Sequence, residues 1–148
     1  MHPPSGETIT LTDEQRARAR TLYNRVREGE VQSPNDIVDS WRIPTSSIEW
    51  TQQDSEFPHH TGFIPPDAIV GPVSDNKRME KGRLKGVLTY LLRGEFEVQN
   101  SYPPMLQKRG SQFYVTDDGN HRSMVAKAIG LERLYVSYSE VPLDLLDM

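Results

Sequence analysis

The hexapeptide Asp117-Asp118-Gly119-Asn120-His121-Arg122 gathers two carboxylates, a glycine, an amide, an imidazole and a guanidinium in consecutive positions. It follows Gln112-Phe113-Tyr114-Val115-Thr116, which alternates like a strand. It runs into Ser123-Met124-Val125-Ala126-Lys127-Ala128-Ile129, which has the period of a helix closed by Gly130. A strand, a glycine turn and a helix start bearing His and Arg suit an anion. The first helical N–H groups lack intrahelical partners, and the helix dipole favours negative charge there. Phosphate chemistry is the first chemistry this arrangement suggests.

Each residue has a chemical part to play. Gly119 allows a tight turn that a side chain would obstruct. Asn120 either caps the helix or orients a ligand, and Arg122 offers a planar, permanently charged fork to phosphate oxygens. Ser123, at the helix start, joins this candidate binding set. His121 precedes Met124 and Val125 by three and four residues, so the helical period turns it toward the core. It is either a packed histidine bonded to backbone or a phosphate contact. Asp117 and Asp118 point to opposite sides if the strand continues through them. Asp118, adjoining the glycine, is the candidate metal ligand or proton acceptor, and Asp117 is the second candidate catalytic carboxylate or a cap of the turn.

A second basic group lies upstream. From Asp75 to Arg93 the cations Lys77, Arg78, Lys81, Arg83, Lys85 and Arg93 face only Asp75 and Glu80. Lys77, Arg78, Lys81 and Arg83 either clamp a polyphosphate from its other side or form a solvated helix entrance. Glu80 is either a proton acceptor, the third candidate catalytic carboxylate, or a salt-bridge partner. His59-His60 is a secondary candidate, with polar loop residues as the plainer reading, since no further metal ligands stand at workable spacing.

These residues need elements to position them. A helix is expected from about Asp13 to Glu28, capped by Thr12, with Ala19, Leu22, Tyr23 and Val26 forming one apolar stripe. Its many arginines either line a solvated face or track phosphates. Ser33-Pro34 opens a short helix through Trp41. Residues 51 to 66 read mainly as loop, broken by Pro58, Gly62, Pro65 and Pro66. Leu84, Val87, Leu88, Leu91 and Leu92 mark the clearest helix, weakened by Gly82 and Gly86 unless these admit a close neighbour. Met105 to Lys108 and Gln112 to Thr116 form a hairpin around Arg109-Gly110-Ser111. Leu134-Tyr135-Val136-Ser137-Tyr138 is the last strand.

At 148 residues the chain is expected to form one domain with an N-terminal extension. Cysteine is absent, which excludes disulfides, thiolate metal sites and a cysteine nucleophile. The net charge of -4 argues against indiscriminate nucleic-acid binding. No apolar run approaches the roughly 20 residues that span a bilayer. The first residues lack the pattern of a signal peptide, so the expected location is cytoplasmic, with no membrane partner.

From about Phe63 to Val141 the chain resembles the ParB/sulfiredoxin superfamily. The resemblance rests on the order Ile64-Pro65-Pro66-Asp67-Ala68-Ile69, Asn76-Lys77-Arg78, the Leu84 to Leu92 helix, Pro103-Pro104-Met105-Leu106, the Tyr114 to Arg122 stretch, Ala128-Ile129-Gly130 and a last strand. It implies an α/β domain with a mixed sheet over residues 63–148, preceded by a helical extension and loop over 1–62. It also implies binding of ATP or CTP with magnesium, the phosphates held at Gly119 to Arg122. Asn76-Lys77-Arg78 is similar to the Asn-Pro-Arg element of ParB proteins. The turn is also similar to the Asp-Gly-His-His-Arg turn of free-serine kinases. Asn120 stands where sulfiredoxins have their catalytic cysteine, so sulfinic-acid reduction by that chemistry is excluded. ParB proteins continue into a helix-turn-helix DNA-binding domain, whereas this chain ends soon after its last strand.

The resulting expectation is a nucleoside-triphosphate-binding protein with Mg-dependent phosphoryl transfer or hydrolysis, as an NTPase or small-molecule kinase. A small-molecule or protein acceptor would be its second partner. The alternatives are a nucleic-acid-binding or nuclease protein and a non-catalytic nucleotide-binding adaptor.

Overall fold

A computed structural model describes residues 10–42, 56–73, 79–93, 103–116 and 119–142. The first helix, α1 (Asp13–Arg27), begins in a reciprocal cap. The Thr12 hydroxyl accepts the Gln15 N–H at 3.1 Å, and the Gln15 side chain accepts the Thr12 N–H at 3.0 Å. Its stripe of Ala19, Leu22 and Val26 is buried. The helix expected through Trp41 is a single 3-10 turn, Pro34–Asp36. The Asp36 carboxylate accepts the N–H groups of Gln32 and Ser33, which holds its pKa below the usual carboxylate value and favours the turn over a longer helix.

The five strands are β1 (His59–Ile64), β2 (Ile69–Pro72), β3 (Met105–Arg109), β4 (Gln112–Val115) and β5 (Leu134–Glu140). They form one mixed sheet in the order β1-β5-β3-β4-β2. β1 with β5 and β3 with β4 run antiparallel, while β3 with β5 and β2 with β4 run parallel. Strand β1 corrects the loop expected over 51–66, of which 51–55 lie outside the described residues. Its six residues pair one-to-one with β5 from His59–Ser139 to Ile64–Leu134, a non-local partnership that local turn residues do not reveal.

Helix α3 (Asn120–Ile129) is packed on two sides. Met124 and Ala126 join Leu106, Phe113, Val115, Leu134 and Val136 of the sheet in one apolar cluster. Val125 and Ile129 join Leu22 and Val26 of α1 and Leu84, Leu88 and Leu91 of α2 (Lys81–Leu92) in another. The fold is therefore mixed α/β, with three α-helices and a five-stranded mixed sheet among the described residues. Among the described residues, no helix is long and apolar enough to cross a membrane.

α2 starts three residues before its first expected apolar position. Gly82 and Gly86 are exposed, and no described atom lies within 4 Å of a Cβ built on either, so they admit no close neighbour there. Gly86→Ala is therefore expected to raise unfolding free energy by about 0.5–1 kcal/mol. Leu88→Ala, at a fully buried position, is expected to lower it by about 2–5 kcal/mol. Urea titrations of both variants check the pair.

Candidate functional site

The turn into α3 begins with a backbone constraint. Gly119 is the N-cap at φ 100°, in the left-handed region, and a Cβ there would lie 2.7 Å from the Pro104 Cα. Both the conformation and the contact require glycine. The helix begins at Asn120, one residue before the start that a capping Asn120 would give. Ser123 N–H donates to the Gly119 carbonyl at 2.8 Å, the first bond of the ladder. Gly119 has no side chain to cap this end, and the first turn carries no acidic residue.

Asn120 makes no cap. It is only 6% exposed, and neither its Oδ1 nor its Nδ2 has a hydrogen-bond partner; the same holds for the Oγ of fully buried Ser123. These residues are three apart, hence on one side of the first turn. An unsatisfied buried polar atom costs about 1–3 kcal/mol, so the three atoms call for an external partner with donor and acceptor capacity. The pairing of Asn120 with Ser123 was legible only as i, i+3 spacing beside Met124. Burial at both positions is what gives it meaning.

His121 takes the backbone-bonded alternative. It is 9% exposed, and its Nε2 accepts the backbone N–H of Glu80 at 2.8 Å. That nitrogen is unprotonated in this arrangement, and the ring's proton sits on Nδ1. Glu80 is the N-cap of α2, so the bond joins the starts of two helices. The Glu80 carboxylate is turned to the surface and pairs with Arg83 Nε at 2.9 Å, which is the salt-bridge alternative for this residue. Lys81 extends to the Gln32 amide oxygen at 3.4 Å. Arg122 is half-buried at the second turn residue after Asn120. Asp117, Asp118, Lys77 and Arg78 lie outside the described residues, as does Asn76.

Arg18, Arg20 and Arg27 of α1 are exposed, as a solvated face has it, but two of the helix's arginines also serve other helices. Arg16 donates to the Leu92 carbonyl at 2.8 Å, and Arg18 reaches the Ile129 carbonyl at 3.5 Å. Gln15 donates to the Gly130 carbonyl at 2.8 Å. These groups serve the C-terminal ends of α2 and α3, where positive charge is favourable.

His59 and His60 fall on opposite faces of β1, so they cannot ligate one metal together. His60 Nε2 lies 3.3 Å from Glu140 Oε1, and its ring is tilted against Tyr138. No cluster of three or more His, Asp or Glu side chains occurs among the described residues.

Gly119→Ala is expected to cost on the order of 2 kcal/mol or more of stability, from the positive φ and the Pro104 overlap together. The measurement is the urea midpoint, with Gly110→Ala as a control that shares the positive φ but has no described atom within 4 Å. Comparison with protein-family models, curated proteins and solved structures finds no match to this chain.

Proposed function

We propose that the chain is a ParB/sulfiredoxin-type domain that binds a nucleoside triphosphate with magnesium and transfers or hydrolyses its terminal phosphoryl group. The observation that carries this reading is the start of α3: a helix N-terminus with no acidic residue in its first turn, beside two buried residues whose polar side-chain atoms have no hydrogen-bond partner. The helix-start N–H groups and Arg122 suit phosphate oxygens. The amide of Asn120 and the hydroxyl of Ser123 suit groups that both donate and accept.

Phosphoryl transfer asks for positioning and charge neutralisation more than for covalent chemistry. In this reading the α3 N-terminus and Arg122 hold the phosphates, while Lys77 and Arg78 neutralise charge. Asp118 holds the metal or accepts the proton of the attacking hydroxyl or water. Magnesium prefers oxygen ligands, and the Asp118 carboxylate and the Asn120 amide oxygen are of that type. When bound, the metal neutralises phosphate charge. The family likeness in the Gly119 to Arg122 turn supports the assignment, together with the mixed sheet that leads into it.

Calorimetric titration with ATP, CTP and GTP in the presence of magnesium tests the proposal. Saturable binding of at least one is expected, and Arg122→Ala should weaken it by about tenfold or more. Binding of none of the three would sink the reading.

A further inference from the structure

We infer that His121 is a positioning residue: it holds the N-terminus of α2 against that of α3, so that the two helix ends act on one anion. The inference rests on the phosphate reading of the α3 turn and adds a role for a residue that itself contacts backbone.

The local chemistry explains why the bond must come from another helix. In α1 the N-cap N–H of Thr12 is accepted by its own third helical residue, Gln15, at 3.0 Å. The corresponding residue of α2 is Arg83, which has no acceptor and instead donates Nε to the Glu80 carboxylate. Glu80 N–H therefore goes to His121 Nε2, 41 residues away in sequence. That bond fixes the start of α2 beside the first turn of α3.

The far ends of the same helices are also held together. Arg16 serves the last carbonyls of α2, while Arg18 and Gln15 serve those of α3. With both starts joined at one end and both carbonyl ends served by one stretch of α1 at the other, α2 and α3 run side by side in the same direction. Their dipoles are aligned and repel. The negative ends are offset by the α1 arginines. Neither positive end has an acidic residue in its first turn, neither N-cap residue caps its helix with its own side chain, and α2 adds Lys81 and Arg83. An anion spanning both ends relieves the repulsion, whereas a single phosphate at α3 relieves only part of it. Asn120 and Ser123, buried without partners in the α3 turn, point independently to a ligand at this place.

The test compares inorganic phosphate and inorganic triphosphate by calorimetry, alongside thermal unfolding. The wild-type protein should prefer triphosphate. His121→Ala should cut triphosphate affinity by about tenfold while leaving the weaker phosphate binding in place. His121→Gln, whose amide oxygen can accept the Glu80 N–H, should restore it. The double variant His121→Ala, Arg83→Gln gives α2 the internal cap that α1 has. Compared with Arg83→Gln alone, which removes the same cation from the α2 start, it should match the thermal stability yet lack the triphosphate preference, a separation that a purely structural role would not produce. Full preference in a folded His121→Ala protein overturns the inference while leaving the nucleotide reading standing. If the wild type binds nucleotide but neither phosphate nor triphosphate, the joined-end inference alone fails; if it binds none of these anions, both fail. Should His121→Ala not fold, ¹⁵N resonances of the wild-type ring decide: an unprotonated Nε2 is expected, and a protonated Nε2 refutes the bond.

Discussion

The parallel pairing of α2 and α3 is the constraint on which the rest of the site depends. Two helices with aligned dipoles set like partial charges side by side at each end. The chain settles the negative ends with its own residues, through Arg16, Arg18 and Gln15 of α1. It settles the positive ends differently. There it ties backbone to imidazole through Glu80 and His121 and supplies no carboxylate in either first turn. One end of the helix pair is thus closed by the protein, and the other is suited to a ligand.

Packing makes that end rigid. α3 is gripped by the sheet through Met124 and Ala126 and by α1 and α2 through Val125 and Ile129. A helix buried on two sides draws its first turn inside as well, which is why Asn120, His121 and Ser123 are buried although all three are polar. Burial of this kind is costly unless partners are found. His121 finds one in the backbone of α2. Asn120 and Ser123 find none, and the cost is carried in the turn whose glycine is fixed by Pro104. Unsatisfied polar groups in a turn whose backbone only glycine fits are the pattern expected where a fold gives up stability to keep a binding geometry.

What could be read in advance follows from how local each determinant is. The capped helix α1, the apolar stripe of α2 and the β3–β4 hairpin were legible because period, caps and turn residues lie within a few positions of one another. The turn at Gly119 was legible for the same reason. Strand β1 was not, because its pairing with β5 spans about half of the chain and its own residues include Gly62 and two histidines. The start of α3 was legible to within one residue, because Gly119 and the spacing of His121 to Met124 and Val125 mark it although Asn120 and His121 carry no apolar signal. The role of His121 was narrowed to two alternatives by period alone, and only a partner distant in sequence could choose between them. The tasks of the α1 arginines were likewise invisible, since carbonyl ends of other helices have no sequence signature.

The distribution of acidic residues sharpens the functional argument. The chain has 21 Asp and Glu against 17 Lys and Arg, so carboxylates are plentiful. α1 follows the ordinary rule and places Asp13 and Glu14 in its first turn, where they complement its dipole. α2 and α3 place none there. The nearest carboxylate at the start of α2, that of Glu80, is drawn outward by Arg83 and leaves only its backbone in the joint. An internal carboxylate at either position would stabilise the helix by a few tenths to about 1 kcal/mol. It would also occupy the field that an external anion uses. Leaving both first turns without one, where α1 carries two, is the arrangement expected when an external anion complements the dipoles.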